Sequence, residues 1–177
     1  MKKSWSVLLI SCFVALSFSS CSNEDNSWRD ENLAFFDDIR NREGIHEIGD
    51  SLNAYPGILY EVLKEGTGEK PIVGNVVEVS YAGWLYNDTI TYDAKHPLDI
   101  DEAFDNSDSY DVTINDSSII SGWYNVLQYM PMGSKWRIYI PYYLGYGTST
   151  TKGIPGYSTL IFDIELKRKV SDYYVEE

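Results

Sequence analysis

The sequence predicts an α+β domain in which one antiparallel sheet packs against one short helix, with a further helix near the N-terminus. Three runs alternate between apolar and polar residues with the period of a strand, at 76–81, 135–141 and 160–166. Beyond residue 57, the only convincing helix begins at Trp123, and no internal repeat is present. Alternating strands have one apolar face, and a helix lying across that face completes a two-layer domain.

The remaining elements are predicted from shorter patterns. Apolar residues three to four apart indicate a helix from Trp28 to about Asn41. An irregular connection follows, and Pro56-Gly57 is a turn signal that marks the start of the main domain. A strand-like run lies at 58–63, and two shorter runs at 103–105 and 111–114 complete a set of about five strands.

Composition and charge argue against several classes of function. The 177 residues are enough for one domain with appendages. Only 14 Lys and Arg oppose 27 Asp and Glu, whereas binding to nucleic acid requires a basic face. The two His are isolated and no Gly-rich phosphate loop opens a helix. We therefore predict no nucleic-acid partner, no metal and no other cofactor, and a hydrolase triad lacks a plausible base.

The first twenty residues have the pattern of a targeting segment. Lys2 and Lys3 precede an apolar run that is too short for a membrane span, and small residues end it directly before Cys21. This pattern predicts a lipoprotein signal peptide over 1–20 and lipid on Cys21, with a plain signal peptide as the alternative. Residues 21–27 would be a tether, and their acidic character resembles the surface-export signals of lipoproteins in the Bacteroides group.

Lipid on Cys21 would anchor the chain to the bacterial outer membrane, facing either the periplasm or the cell surface. Cys12 would leave with the signal peptide, so the mature domain would have no thiol for a disulfide or a nucleophile.

Seven short motifs stand in the order in which they occur in one known family. They are Gly66-Thr67-Gly68, Val79-Ser80-Tyr81-Ala82-Gly83, Phe104-Asp105-Asn106-Ser107, Ile119-Ile120-Ser121-Gly122-Trp123, Met132-Gly133, Tyr146-Gly147 and Leu160-Ile161-Phe162-Asp163-Ile164-Glu165-Leu166. Each motif is common alone, but together they make the segment from Gly57 to Lys169 resemble the FKBP-type peptidyl-prolyl isomerases. The resemblance implies a bent antiparallel sheet wrapped around one short helix, with an aromatic pocket between them.

The resemblance completes the predicted domain organisation. Residues 28–56 would be the N-terminal helix and linker, 57–170 the FKBP-like domain, and 171–177 a C-terminal tail.

The resemblance also implies roles for individual residues. Apolar side chains would line the pocket, with Trp123 as its floor and Tyr81, Phe104, Phe162, Ile119, Ile120 and Ile154 as its walls, rim and lip. Three polar groups would contact the substrate amide: the Asp105 carboxylate, the Tyr146 hydroxyl and the Ile120 N–H. Considered one at a time, Tyr81, Trp123 and Phe162 fit ordinary core positions better than a pocket, and only the order of the motifs favours the pocket.

Such a pocket suits the isomerisation of Xaa-Pro bonds. Rotation about this bond has a barrier of about 18–20 kcal/mol because resonance keeps the amide planar. Twisting the amide makes its carbonyl less polar and its nitrogen more basic, so aromatic walls with few polar groups can favour the twisted state. The predicted function is therefore a prolyl isomerase that binds proline-containing clients and assists the folding of exported or envelope proteins.

Departures from the family pattern leave other functions open. The segment between Gly83 and Phe104 is long, and Tyr92-Asp93 within it is a rival for Phe104-Asp105. The segment from Asp105 to Tyr110 contains no Arg to pair with Asp105, and the loop 148–153 is small and polar. A catalytically weak chaperone or a peptide-binding surface lipoprotein is therefore an alternative. A third hypothesis is an envelope protein that binds a glycan or peptide through exposed tyrosines such as Tyr86, Tyr92, Tyr142 and Tyr143.

Overall fold

In the described part of the chain, six strands form one antiparallel sheet that has a helix on each face. The structure, a computed structural model, describes residues 23–49, 57–86, 99–114 and 118–172. Helix α1 spans Asn23–Arg40 and helix α2 spans Ser121–Leu127. The strands are β1 His46–Ile48, β2 Ile58–Lys64, β3 Asn75–Leu85, β4 Asp105–Thr113, β5 Lys135–Ile140 and β6 Leu160–Asp172. Their order across the sheet is β1-β2-β5-β6-β3-β4, and all neighbours are antiparallel.

The main core lies between the sheet and α2. Val77 and Val79 on β3 are fully buried in it, as the alternation of that strand predicts. Each such side chain stabilises the fold by roughly 1.5–3 kcal/mol relative to the exposed state. Helix α2 approaches β5 closely at Gly122, where a Cβ atom would lie 2.5 Å from the Cγ2 of Ile140. A glycine at this position therefore allows α2 to lie directly on the sheet.

The opposite face of the sheet is covered by α1. Phe35, Phe36 and Ile39 are buried there. They pack against residues of four strands, namely Leu59, Ala82, Trp84, Tyr139 and Ile161. Sequence periodicity predicted the helix but gave it no packing partner. The structure makes it one of the layers of the domain.

Because both faces are covered, β5 and β6 contain buried polar residues. Arg137 on β5 and Asp163 on β6 are directly opposite each other and form a two-point ion pair, with N–O distances of 2.6 and 2.8 Å. Their side chains are only 3% and 12% exposed. A guanidinium can be buried at this position because both of its hydrogen bonds to the carboxylate are made.

The predicted α+β class is confirmed, with several differences in the elements. Helix α1 begins at Asn23, within the segment that we predicted as a tether, and β1 lies within the predicted linker. The runs 103–105 and 111–114 are not two strands, because Asp105–Thr113 is one continuous strand. This strand is at the edge of the sheet and most of its side chains are exposed, so apolar alternation does not mark it. Strand β6 also continues to Asp172, into the predicted tail.

Several predictions concern residues outside the described ranges. These are the signal peptide 1–20, the lipid on Cys21, the turn at Pro56, and the rival pair Tyr92-Asp93. The domain boundaries stay predictions. Among the described residues, no helix is long and apolar enough to cross a membrane.

Candidate active site

Four aromatic side chains predicted to line a pocket form one edge-to-face cluster. The ring of Trp123 lies 4.8 Å from that of Tyr81 and 5.3 Å from that of Phe162, with interplanar angles of 84° and 87°. The ring of Phe104 lies 5.6 Å from that of Phe162 at 73°. Edge-to-face contacts at these distances are favourable because the positive ring edge meets the negative ring face. The cluster joins α2, β3, β6 and the residue before β4.

Local backbone structure puts Trp123 at the start of α2. Ile120 is the extended residue before the helix, with φ −65° and ψ 147°, and its carbonyl accepts the Trp123 N–H at 3.0 Å. Trp123 is therefore in the first turn, where the chain passes from the extended segment into the helix. Its side chain is 5% exposed.

Gly83 allows the two phenylalanines to meet. A Cβ atom at Gly83 would lie 2.3 Å from the ring of Phe162, so a larger residue on β3 would displace that ring. The carbonyl of Gly83 also accepts the N–H of Phe104 at 2.8 Å, which holds Phe104 beside β3. One glycine thus positions both rings.

A carboxylate lies beside this cluster. Tyr81 donates its hydroxyl to Oδ2 of Asp105 at 3.0 Å. Burial, together with the hydrogen bond and charge of Asp105, raises the pKa of Tyr81 to about 12. The pKa of Tyr146 is also raised, first by burial and then by the negative charge of Asp105. Both hydroxyls therefore keep their protons at neutral pH and can donate hydrogen bonds.

Three donors of the predicted site have no acceptor within the described part of the chain. They are the Ile120 N–H, the Tyr146 hydroxyl and the indole N–H of Trp123, of which the last is buried. A buried polar group without a partner costs free energy, about 1–3 kcal/mol. Ile120 and Tyr146 are half-buried, so their donors can meet the carbonyl groups of a bound peptide, whereas the indole N–H of Trp123 is inaccessible.

The residues predicted at the rim, Ile119 and Ile120, are less buried than Ile154, which was predicted as a lip. Ile119 and Ile120 are half-buried and pack against the main core. Ile154 is 6% exposed and belongs to the core itself, so it lies deeper than a lip residue would. A tight turn explains this, since Thr151 and Ile154 exchange both backbone hydrogen bonds, at 3.0 and 2.9 Å, and bring the loop back onto the domain.

Tyr110 is a neighbour of the site that the sequence did not indicate. Its ring lies 6.0 Å from that of Tyr81 in an edge contact, and 43% of the residue is exposed. Residues 106–110 lie between two predicted strands and were assigned to neither, because the segment lacks the alternation of a buried strand. A single aromatic residue among aspartates and serines was the one available signal.

The tyrosines considered as a glycan surface are largely engaged within the domain. Tyr86 stacks on Phe35 at 4.1 Å and 13° and packs against the outer core, which is the buried cluster between α1 and the sheet. Tyr142 contacts the rings of Tyr143 and Tyr157 at 5.2 and 5.0 Å. Tyr92 lies outside the described residues. Tyr86 is therefore not the exposed platform that this hypothesis required.

Comparison with known proteins shows the family of the chain. A family profile described as FKBP-type peptidyl-prolyl cis-trans isomerase matches residues 67–167, which is more than half of the chain. The chain belongs to the FKBP-type peptidyl-prolyl isomerase family. The predicted family is thus confirmed, and the matched residues contain most of the candidate site.

Individual relatives of this FKBP-type chain differ in length. It is 34% identical over 110 residues to the isomerase FkpA of Aeromonas hydrophila, covering 62% of this chain but 37% of that one. It is 33% identical over 111 residues to an FK506-binding protein of Neisseria meningitidis, covering 62% of this chain and 94% of that one.

Solved structures of FKBP-type isomerases share the fold over most of the chain. A crystal structure of an isomerase from Pseudomonas syringae pv. tomato has 30% identity and a TM-score of 0.66, covering 85% of this chain and 98% of that one. FkpA from Escherichia coli has 27% identity and a TM-score of 0.64, covering 82% of this chain and 60% of that one.

Proposed function

We propose that this chain is an active peptidyl-prolyl cis-trans isomerase that binds Xaa-Pro segments between α2 and the sheet and assists the folding of exported or envelope proteins. The observation that carries the proposal is the edge-to-face cluster of Trp123, Tyr81 and Phe162 with the Asp105 carboxylate beside it. Membership of the FKBP-type family supports the same activity.

The aromatic side chains would bind the proline ring. Trp123 would be the surface on which the ring rests, with Tyr81, Phe104 and Phe162 around it and Ile119 at the rim. Phe104 is 36% exposed while Phe162 is 3% exposed, so the walls would run from solvent to the core. Removing water from the amide favours the twisted state, because the twisted carbonyl is less polar than the planar one.

The polar groups would hold the peptide on either side of the twisting bond. The Ile120 N–H and the Tyr146 hydroxyl would donate to substrate carbonyls, and the raised pKa of Tyr146 keeps its hydroxyl protonated. The Asp105 carboxylate would contact the region of the twisted carbonyl and is itself oriented by Tyr81. No covalent bond forms or breaks, so the reaction needs neither a nucleophile nor a cofactor.

Turnover is tested by a protease-free cis/trans assay with Xaa-Pro peptides on the full-length chain. Asp105→Val and Tyr146→Phe should each lower kcat/KM by about tenfold, because one hydrogen bond of this kind contributes about 1–2 kcal/mol. Asp108→Val, on the same strand, and Tyr129→Phe, which removes a half-exposed hydroxyl, are the matched controls. If the folded wild-type protein isomerises the peptides no faster than the uncatalysed background, the proposed isomerase activity is refuted.

A second candidate is a binding module without useful turnover. It is favoured by the absence of an Arg at 106–110 and by the small polar loop 148–153. In this case a proline peptide should bind to the wild-type chain and quench Trp fluorescence, while the isomerisation rate stays at background. Trp123→Ala should abolish the binding in both cases, so the assay for turnover separates the candidates.

We further propose that lipid on Cys21 anchors the domain to the outer membrane. The apolar run before Cys21 and the acidic residues after it support this location. Cys21→Ser should move the protein from the membrane fraction to the soluble fraction, whereas Cys12→Ser should leave it in the membrane. A Cys21→Ser protein that stays in the membrane fraction would contradict the anchor.

A further inference from the structure

The loop between residues 145 and 159 joins the candidate site to α1. Tyr146 is at its start and Ile154 is near its middle. The loop folds back on itself, because the Tyr157 N–H donates to the Gly147 carbonyl at 2.9 Å. This bond ties Tyr157 directly to the neighbour of Tyr146, whose hydroxyl is a proposed substrate donor.

The backbone of this loop needs support from its surroundings. Tyr157 has a φ of +64°, a left-handed conformation that is uncommon for a bulky residue. Such conformations persist where the surrounding structure over-determines them. The ring of Tyr157 contacts Tyr142 on one side, 5.0 Å away, and the guanidinium carbon of Arg29 lies 5.8 Å from its centroid.

Helix α1 holds the end of the loop through Asn32. The Oδ1 atom of Asn32 accepts the Thr159 N–H at 2.7 Å, and the Asn32 carbonyl accepts the Thr159 hydroxyl at 3.2 Å. The amide of Asn32 also donates to the Trp28 carbonyl at 3.0 Å, which fixes the orientation of the side chain. Asn32 is 1% exposed, so water does not compete for these bonds.

The loop would have space to move without these bonds. A groove of about 630 Å³ lies between α1 and the loop, lined by Trp28, Thr148–Thr150 and Pro155–Tyr157. The packing of the loop against α1 is therefore incomplete, and its position depends on a few specific contacts.

We propose that Asn32 and Arg29 are positioning residues, which hold the loop 145–159 so that Tyr146 is presented to the substrate. The inference rests on the proposed isomerase function. Neither residue touches the aromatic cluster. They act through Thr159 and Tyr157, and through the hydrogen bond from Tyr157 to Gly147.

The test uses Asn32→Ala and, as a matched control, Phe36→Leu in the full-length chain. Phe36 is buried on the same helix, but its cluster contains no residue of the loop. Asn32→Ala should lower kcat/KM by about tenfold, since small misplacements of a binding group are costly. Backbone hydrogen exchange in 147–157, measured by mass spectrometry, should become faster in Asn32→Ala and remain as in wild type in Phe36→Leu.

A second pair of variants separates positioning from general stability. Thr159→Ser keeps the hydroxyl that Asn32 accepts, whereas Thr159→Val removes it and keeps the shape. We expect Thr159→Ser to retain the wild-type kcat/KM and Thr159→Val to lose part of it. Hydrogen exchange in 147–157 should be as in wild type in Thr159→Ser and faster in Thr159→Val.

Two results would overturn the proposed positioning of the loop by α1. One is unchanged hydrogen exchange in Asn32→Ala, and the other is faster exchange with undiminished kcat/KM. An inactive wild-type chain would instead overturn the proposed function. Hydrogen exchange needs no turnover, so the two failures are distinguishable.

Discussion

Tyr81 and Asp105 form the pair on which the polar side of the site depends. The segment from Asp105 to Tyr110 contains no Arg that could neutralise the pocket carboxylate, and the sequence therefore left the orientation of Asp105 open. In the structure, the hydroxyl of Tyr81 donates to Asp105 at 3.0 Å, so a neutral donor orients the carboxylate. The same tyrosine packs edge-on against Trp123. One side chain therefore connects the apolar floor of the site to its charged group.

This pair predicts a pH dependence of stability. The pKa of Tyr81 is about 12 in the folded chain against an ordinary value of 10, so the folded state holds the phenolic proton more strongly than the unfolded state. The stabilisation is complete below pH 10 and is lost as the pH rises from 10 to 12. In urea unfolding at increasing pH, Tyr81→Phe should therefore show a smaller loss of unfolding free energy than wild type.

Tyr129→Phe is the control for this substitution, because it removes an exposed hydroxyl outside the site. A pH dependence in Tyr81→Phe equal to that of wild type would contradict the assignment.

Strand β5 and the first half of β6, residues 160–166, are covered on both faces. This determines which residues these segments can contain. Trp136, Ile138 and Ile140 face the main core, while Tyr139 belongs to the outer core. The alternation of β5 predicted the first three correctly. The burial of Arg137 could not be predicted from that pattern, because a charged residue between apolar ones normally indicates a solvent-exposed face. It is buried because α1 covers that face and Asp163 lies opposite.

Removing one partner of the buried ion pair should lower the free energy of unfolding more than removing one partner of an exposed pair. Asp163→Ala removes the two-point partner of a nearly inaccessible guanidinium and should lower the unfolding free energy by about 3–5 kcal/mol. Lys64→Ala removes the exposed contact between Lys64 and Glu165, 2.8 Å apart, and should cost about 0–1 kcal/mol. Urea unfolding at neutral pH measures both losses. Similar losses in the two variants would show that Arg137 does not depend on Asp163.

In the described ranges, one sheet lies between two α-helices, with a core on each side. The site occupies one face, at the start of α2, and α1 stabilises the other face while reaching the loop 145–159 through Asn32. The N-terminal helix is therefore a layer of the domain and neither a spacer nor a cover over the aromatic cluster.

If α1 is a layer of the domain, damage to it should destabilise the entire fold. Phe36→Ala leaves a cavity under the helix and should lower the unfolding free energy by about 3–5 kcal/mol. Trp fluorescence and far-UV circular dichroism should report one coincident transition. Leu33→Ala, on the same helix but 43% exposed, should change stability by no more than about 0.5 kcal/mol. An early separate transition of α1 in Phe36→Ala would contradict a single cooperative unit.

Much of the candidate site could be predicted from the chain because its residues lie in short contiguous motifs. Ile119–Trp123 and Tyr81–Gly83 were singled out before their neighbours were known, and the structure brings Tyr81, Trp123, Phe104 and Phe162 together. Tyr110 was missed because an exposed edge strand has no apolar alternation. Ile154 was predicted too close to the surface, because the turn that buries it depends on backbone hydrogen bonds and not on side-chain pattern.

Periodicity and motif order were sufficient for the α+β class, the position of the main strands and the family, because these are carried by patterns within short stretches of the chain. The packing of α1 against the sheet and its contact with the loop 145–159 could not be predicted from such patterns. Asn32 and Thr159 are 127 residues apart. Nothing in the sequence around an Asn in a polar helix indicates its hydrogen-bond partner. The long-range pairs, namely α1 with the outer face, Arg137 with Asp163, and Asn32 with Thr159, exist only once the sheet has brought distant segments together.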